Sequence, residues 1–270
     1  MGSFSVVNNI NSVNAQAKLY QTNLGLQQTL ARLSSGLRIN QSADDAAGLA
    51  VANKYRSDVA ILTVGVRNAN DGISRLQIVD GALNNISNLL DRAAVLASQS
   101  ASQGNAGLNR SVLNDEFASV MSEINREASV ANLAGAATSF TIFVSSESTA
   151  ANGQVSIAYN QIDTTALALN TNSIDTPGNA QTAITALSAA ITTLGTVQGQ
   201  VGSAQNRLQF AISLAQSQVV NKTAAESRIR DANMAEESAN LTRYNILTQS
   251  GLASLAQANQ ASSSVLSLLR

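Results

Sequence analysis

The chain has no cysteine and no histidine, and each absence removes chemistry. Without cysteine there is no disulfide, no thiolate nucleophile and no cysteine metal site. Without histidine there is no imidazole base, and the commonest metal ligand is missing. Tryptophan is also absent, aromatics make up 3% of the 270 residues, and Pro177 is the single proline. With one proline, almost nothing interrupts long helices. Charged residues account for 12%, about half the usual share of a soluble domain. A net charge of −1 gives no electrostatic footprint for nucleic acid or an anionic membrane. There is no unbroken apolar run of about 18 residues, so nothing is expected to span a bilayer. Met1–Ile10 lacks the basic and apolar segments of a signal peptide. Taken alone, these absences argue against an enzyme, imply no cofactor or metal, and point by default to the cytoplasm.

The apolar content comes from Ala, Leu, Val and Ile, arranged at helical spacing. Val6, Ile10, Val13, Ala17, Tyr20 and Leu24 step by 4, 3, 4, 3, 4, and Leu26, Leu30, Leu33 and Leu37 repeat the rhythm on a second face. Steps of 3 and 4 average 3.5 residues, the period of a coiled-coil seam. Ser3–Gln41 therefore reads as one long helix. The stretch Arg32–Leu49 interrupts the pattern with Gly36, small polar residues and the adjacent carboxylates Asp44 and Asp45. It reads as a joint: a helix ends at Leu33–Gly36, a short segment crosses, and a new helix starts after an acidic cap. A carboxylate at that position meets the positive end of the helix dipole, which is a better explanation of the Asp pair than a cation site.

Asp44–Ala69 is again helical, and Asn70-Asp71-Gly72 reads as a turn with Asp71 capping the next helix. Ile73–Ser100 carries a strong seam through Leu76, Val79, Leu83, Ile86, Leu90, Ala93 and Ala97. It gives way to the polar loop Ser100–Gly107, and Leu108–Val130 is a shorter helix with Leu113, Phe117, Val120 and Ile124 on one face. Ser139–Val144 and Val155–Tyr159 alternate at period 2 around Asn152-Gly153 and read as a β-hairpin. A Thr/Asn-rich loop, Asp163–Asn179, leads to Ala180–Asn221, whose seam runs Ile184, Leu187, Ile191, Leu194, Gln198, Val201, Gln205, Leu208, Ile212, Ala215, Val219. About 40 residues at 1.5 Å rise make a rod of roughly 60 Å. Ala224–Ala235 is a second interruption. Glu237–Arg270 is the last helix, with Leu241, Tyr244, Leu255, Val265 and Leu269 on its seam.

The layout is nearly palindromic, so the expected class is mainly α. Long antiparallel helical coiled-coil bundles are built from both chain ends, with one small β-hairpin in the middle. Residues 1–42 with 225–270 form an inner terminal coiled coil. Residues 43–224 form a core helical bundle with the hairpin at about 139–160, and no separate outer domain is expected.

The motifs LSSGLRIN (Leu33–Asn40), ADDAAGLAVANK (Ala43–Lys54), RNANDGIS (Arg67–Ser74), VDGALNNI (Val79–Ile86), GSAQNRLQFAI (Gly202–Ile212), SRIRDANMAEES (Ser227–Ser238) and SLAQANQ (Ser254–Gln260) occur in an order that resembles bacterial flagellin. The resemblance covers about the first 130 and last 90 residues. It implies an extracellular structural subunit of the flagellar filament, exported unfolded through the flagellar type III apparatus and polymerising into a helical tubular propeller for motility. That replaces the cytoplasmic default. It implies as partners further copies of itself in a helical homopolymer, the export apparatus, a flagellin chaperone, and the filament cap and hook-junction proteins. The alternative is a hook–filament junction protein of the same apparatus. The resemblance implies polymer contacts at Val6, Ile10, Val13, Tyr20, Leu24, Leu241, Tyr244, Leu255, Val265 and Leu269, with a connector built from Gly36, Arg38, Asp44 and Asp45 and terminal helices lining a channel. Arg92, Leu96 and Glu116 resemble a patch read by host toll-like receptor 5, although Asp91, Ala94 and Phe117 depart from that pattern. The bland reading makes Arg92 and Glu116 solvated or inter-subunit charges and Leu96 core. O-linked sugars on Ser145, Ser146, Ser148 and Thr149 are a further expectation.

Overall fold

A computed structural model describes residues 9–102, 107–135, 138–145 and 153–268. In chain order its elements are α1 (Ile10–Ser35), α2 (Ala46–Ala101), α3 (Gly107–Val130), β1 (Thr138–Phe143), β2 (Gln154–Tyr159), α4 (Pro177–Arg230) and α5 (Met234–Leu268). The mainly helical class with one antiparallel hairpin is as the sequence reads. The chain divides into two compact units, Met1–Ser57 with Asn221–Arg270, and Asp58–Val220. The divisions fall further along α2 and before the end of α4 than the expected 42/43 and 224/225. Both helices contribute residues to both units.

Within Asp58–Val220 the core is a continuous helical seam. On α2, Leu62, Ala69, Leu76, Val79, Leu83, Ile86, Leu90, Ala93 and Ala97 are all buried. On α3, Phe117 and Ile124 are buried as expected, while Leu113 is half-buried. The helix ends on Asn132 in the left-handed region (φ 56°). Leu133 N–H reaches back to the Ala128 carbonyl at 2.7 Å, and Asn132 N–H to Ser129 at 3.2 Å, which together satisfy the last carbonyls of α3. The loop before α4 is pinned by two asparagines of α3. Asn125 Oδ1 accepts from Thr164 N and Oγ1, and Asn114 Oδ1 accepts from Ile174 N at 2.9 Å. Leu167, Leu169 and Ile174 are buried there, so this Thr/Asn-rich stretch is packed. Pro177 opens α4 at its first position, where its missing N–H is no loss, behind a Thr176 whose Oγ1 accepts from Asn179 N.

The hairpin pairs Phe140 with Ile157 and Ile142 with Val155. Ile142, Val144, Ile157 and Tyr159 face the core, the alternation the sequence shows. It explains Gly72. The Asn70-Asp71-Gly72 stretch forms no turn, and α2 runs straight through it. Gly72 is buried, and a Cβ there would fall 2.0 Å from Ile142 Cδ1. One heptad earlier, a Cβ on Gly65 would meet the Val144 carbonyl oxygen at 2.4 Å. These glycines are the groove in which β1 lies. Packing overrides the local turn signal.

Three other expectations are corrected. First, α1 stops at Ser35 rather than Gln41, because Gly36 takes φ 72° and its N–H closes on the Arg32 carbonyl at 2.8 Å. Leu37 is therefore not on a helical face; it forms an isolated bridge with Asp231. Second, the interruption at Ala224–Ala235 shrinks to Asp231–Asn233, since α4 continues to Arg230. Third, the α4 seam lies one residue earlier on alternate turns. Ala183, Ala190, Val197 and Ala204 are buried instead of Ile184, Ile191, Gln198 and Gln205. Small residues let the helices approach closely, and the longer neighbours flank the seam. Gln198 donates from that flank to Asn84 Oδ1 at 3.3 Å.

By length and composition α4 contains a stretch apolar enough to cross a membrane. Ala, Ile, Leu and Val raise its average, and Leu187, Leu194, Val201 and Leu208 form a stripe buried in the bundle while Ile191 and Phe210 are exposed outside it. That is the pattern of a core helix.

Candidate assembly surface

In the other unit, α1 and α5 lie antiparallel. Asn9 caps α1 by accepting from Ser12 N at 3.1 Å, and its Nδ2 donates to the Ala258 carbonyl at 2.9 Å. At the opposite end Arg32 Nη1 meets Glu237 Oε1 at 3.4 Å. The charges suit their positions, with a cation in the last turn of α1 and an anion in the first turn of α5. Glu237 is only 7% exposed, so the pair fixes the register of the two helices.

Between these ends the helices interlock through glycine. A Cβ on Gly25 would fall 2.6 Å from the Tyr244 ring, and one on Gly251 would fall 2.8 Å from Leu19 Cδ1. Each large side chain seats over the other helix's glycine. These contacts and the Arg32–Glu237 pair were missed in the sequence. The usable signal was a glycine inside a strongly helical run, which costs about 1 kcal/mol against alanine unless something approaches it.

The face that α1 turns to α5 is therefore Ser12, Ala15, Leu19, Thr22, Leu26, Thr29 and Leu33, all half-buried or buried. It alternates Leu19, Leu26 and Leu33 with small or polar residues. The apolar stripe read from the sequence points elsewhere. Ile10 is 59% exposed, Val13 62%, Tyr20 65% and Leu24 44%. On α5 the situation is reversed: Leu241, Tyr244 and Leu255 are half-buried on the face toward α1, while Ile246, Leu247 and Leu252 are exposed. Val6 and Leu269 lie outside the described residues, as does the side chain of Val265. Contiguous exposed apolar surface of this kind marks interaction sites.

The two interruptions meet in one connector. Arg38 N donates to the Arg230 carbonyl at 2.6 Å, Ala232 N to the Gly36 carbonyl at 2.9 Å, and the Arg38 guanidinium to the Ile229 carbonyl at 2.7 Å. Asp45 Oδ1 accepts from Gly48 N at 2.8 Å and caps α2. Asp44 turns back instead, and its Oδ2 accepts from Asn40 N and Gln41 N at 3.0 and 3.1 Å. Those N–H groups, with Arg32 at longer range, hold its carboxyl below the usual value. The Asp pair is thus split between two backbone tasks. Ile39, 2% exposed, anchors the segment, and a Cβ on Gly48 would press against it at 2.9 Å. Asn233 completes the connector by capping α5 through Ala235 N.

Of the three residues singled out for a receptor, the fold joins two. Arg92 Nε donates to Glu116 Oε1 at 3.0 Å on an exposed surface. Leu96 is fully buried in the core and presents nothing to a partner. Ser145 is half-buried at the end of β1, while Ser146, Ser148 and Thr149 lie outside the described residues.

Comparison with known proteins decides the family. A profile of the bacterial flagellin N-terminal helical region matches residues 6–138, and one of the C-terminal helical region matches residues 184–269. The chain belongs to the flagellin family. A flagellin of Halalkalibacterium halodurans is 38% identical over 249 residues, covering 90% of this chain and 92% of that one. The flagellar filament 33 kDa core protein of Treponema phagedenis is 36% identical, covering 97% and 98%. A crystal structure of Bacillus cereus flagellin matches 59% of this chain and 94% of that chain at 28% identity, with a TM-score of 0.48. This flagellin is accordingly a structural subunit of the flagellar filament, in a family of structural proteins not known as enzymes.

Proposed function

We propose that this flagellin polymerises by covering the exposed stripe of its α1/α5 pair with the terminal helices of neighbouring copies. The observation that carries this reading is the split between the two faces of α1. A mixed face of Ser12, Thr22, Thr29, Leu19, Leu26 and Leu33 is used within the chain, while Ile10, Val13, Tyr20 and Leu24 are left to solvent. Covering the exposed half of a side chain such as Ile10, Val13 or Leu24 contributes about half of the roughly 1.5–3 kcal/mol of full burial, repeated in every subunit. Association and ordering costs offset part of that. A contact between different faces of identical subunits extends as a helical filament when its rotation does not close a ring.

In this reading residues 1–42 and 225–270 form the inner layer around a channel whose wall is rich in Ser, Asn and Gln. The connector Gly36, Arg38, Asp44 and Asp45 carries the chain from that layer into the core bundle, residues 43–224. The filament is extracellular, and subunits reach its tip unfolded through the export apparatus, accompanied by a chaperone and received beneath a cap. The lean core and the absence of disulfides suit that route. Where a host carries toll-like receptor 5, the exposed Arg92–Glu116 pair is the readable feature, supported from beneath by Leu96. A reporter-cell assay of Arg92→Ala checks this, and a signal equal to wild type sinks it.

The main reading is tested by seeding. Wild-type protein added to filament fragments extends them, as seen by electron microscopy. Ile10→Ser/Tyr20→Ser protein remains monomeric. Extension by the double variant at the wild-type rate would exclude the stripe as the driving surface.

A further inference from the structure

We draw no further inference here: the strongest candidate, the open groove between β2 and α4 lined by Thr196, Gln200, Ser203 and Arg207, carries nothing, because Arg207 and Gln200 already hold the Ser156 carbonyl and the Asn160 N–H and nothing in the structure shows what covers it.

Discussion

The two compact units are built on the same 3-4 rhythm and use it for opposite ends. In Asp58–Val220 the rhythm places Leu, Ile, Val and Ala inward, and residues such as Leu83, Ile86 and Leu90 lose all contact with solvent. In the α1/α5 pair the inward face mixes Leu19, Leu26 and Leu33 with Ser12, Thr22 and Thr29, and Ile10, Val13 and Tyr20 remain outside. One seam is complete within the chain. The other is a two-helix pair too thin to bury both faces, since a helix needs apolar partners around a wide stripe to be stable on its own account. The difference teaches that a heptad pattern reports that a face will be covered, without reporting by whom.

Removing one side of the contrast gives the largest effect. Deletion of Leu241–Arg270 takes away most of α5, so seeded polymerisation is lost while the Asp58–Val220 bundle stays helical. Circular dichroism melts and electron micrographs check this, and filaments from the deleted protein would break the comparison.

Single substitutions should separate the units next. Leu83→Ala in the closed seam costs about 2–5 kcal/mol of stability by chemical denaturation. Tyr20→Ala on the open face changes monomer stability by about 0.5 kcal/mol or less, yet raises the critical concentration at least several-fold. Equal stability losses at the two positions would mean that α1 is closed within the monomer after all.

The glycines sharpen the picture at smaller scale. At Gly65 a new Cβ meets the Val144 backbone, which cannot rotate aside, so Gly65→Ala destabilises by about 1–3 kcal/mol despite better helix propensity. At Gly199 nothing lies within 4 Å, and Gly199→Ala stabilises by up to about 1 kcal/mol. Thermal melts distinguish the two signs.

The smallest effect belongs to the connector. The Asp44 carboxyl is held below its ordinary value of 3.8 by the Gln41 and Asn40 N–H groups. Its folded form is favoured when ionised, so its contribution is present above the unfolded value and is lost as pH falls through the depressed folded value. Asp44→Ala should therefore lower stability slightly at neutral pH, and the difference from wild type should vanish in strong acid. A difference that persists there would assign the effect to something other than the carboxylate.

Much of this was legible in the sequence. The α2 seam from Leu76 to Ala97, the alternating hairpin strands and the antiparallel meeting of the chain ends come from periodicity alone. The failures share a cause. Gly72 looked like a turn residue because the Ile142 side chain it accommodates lies 70 positions away. Gln198 and Gln205 looked like seam residues because a 3-4 rhythm fits equally well one position along when alanine stands beside isoleucine or glutamine. The stripe from Ile10 to Leu24 was seen, but sequence could not say that Tyr244 would choose Gly25 and turn that stripe outward. For the assembly surface, residue types and spacing were readable; the choice of face depended on a partner helix more than 200 residues distant.

Hydrogen exchange on monomer and filament tests the contrast most directly. Amides of Ile10–Ser35 should exchange at least a hundredfold more slowly in the filament than in the monomer, while those around Leu83–Leu90 are equally protected in both. Equal protection of Ile10–Ser35 in the two states would contradict the claim that neighbouring copies complete this helix pair.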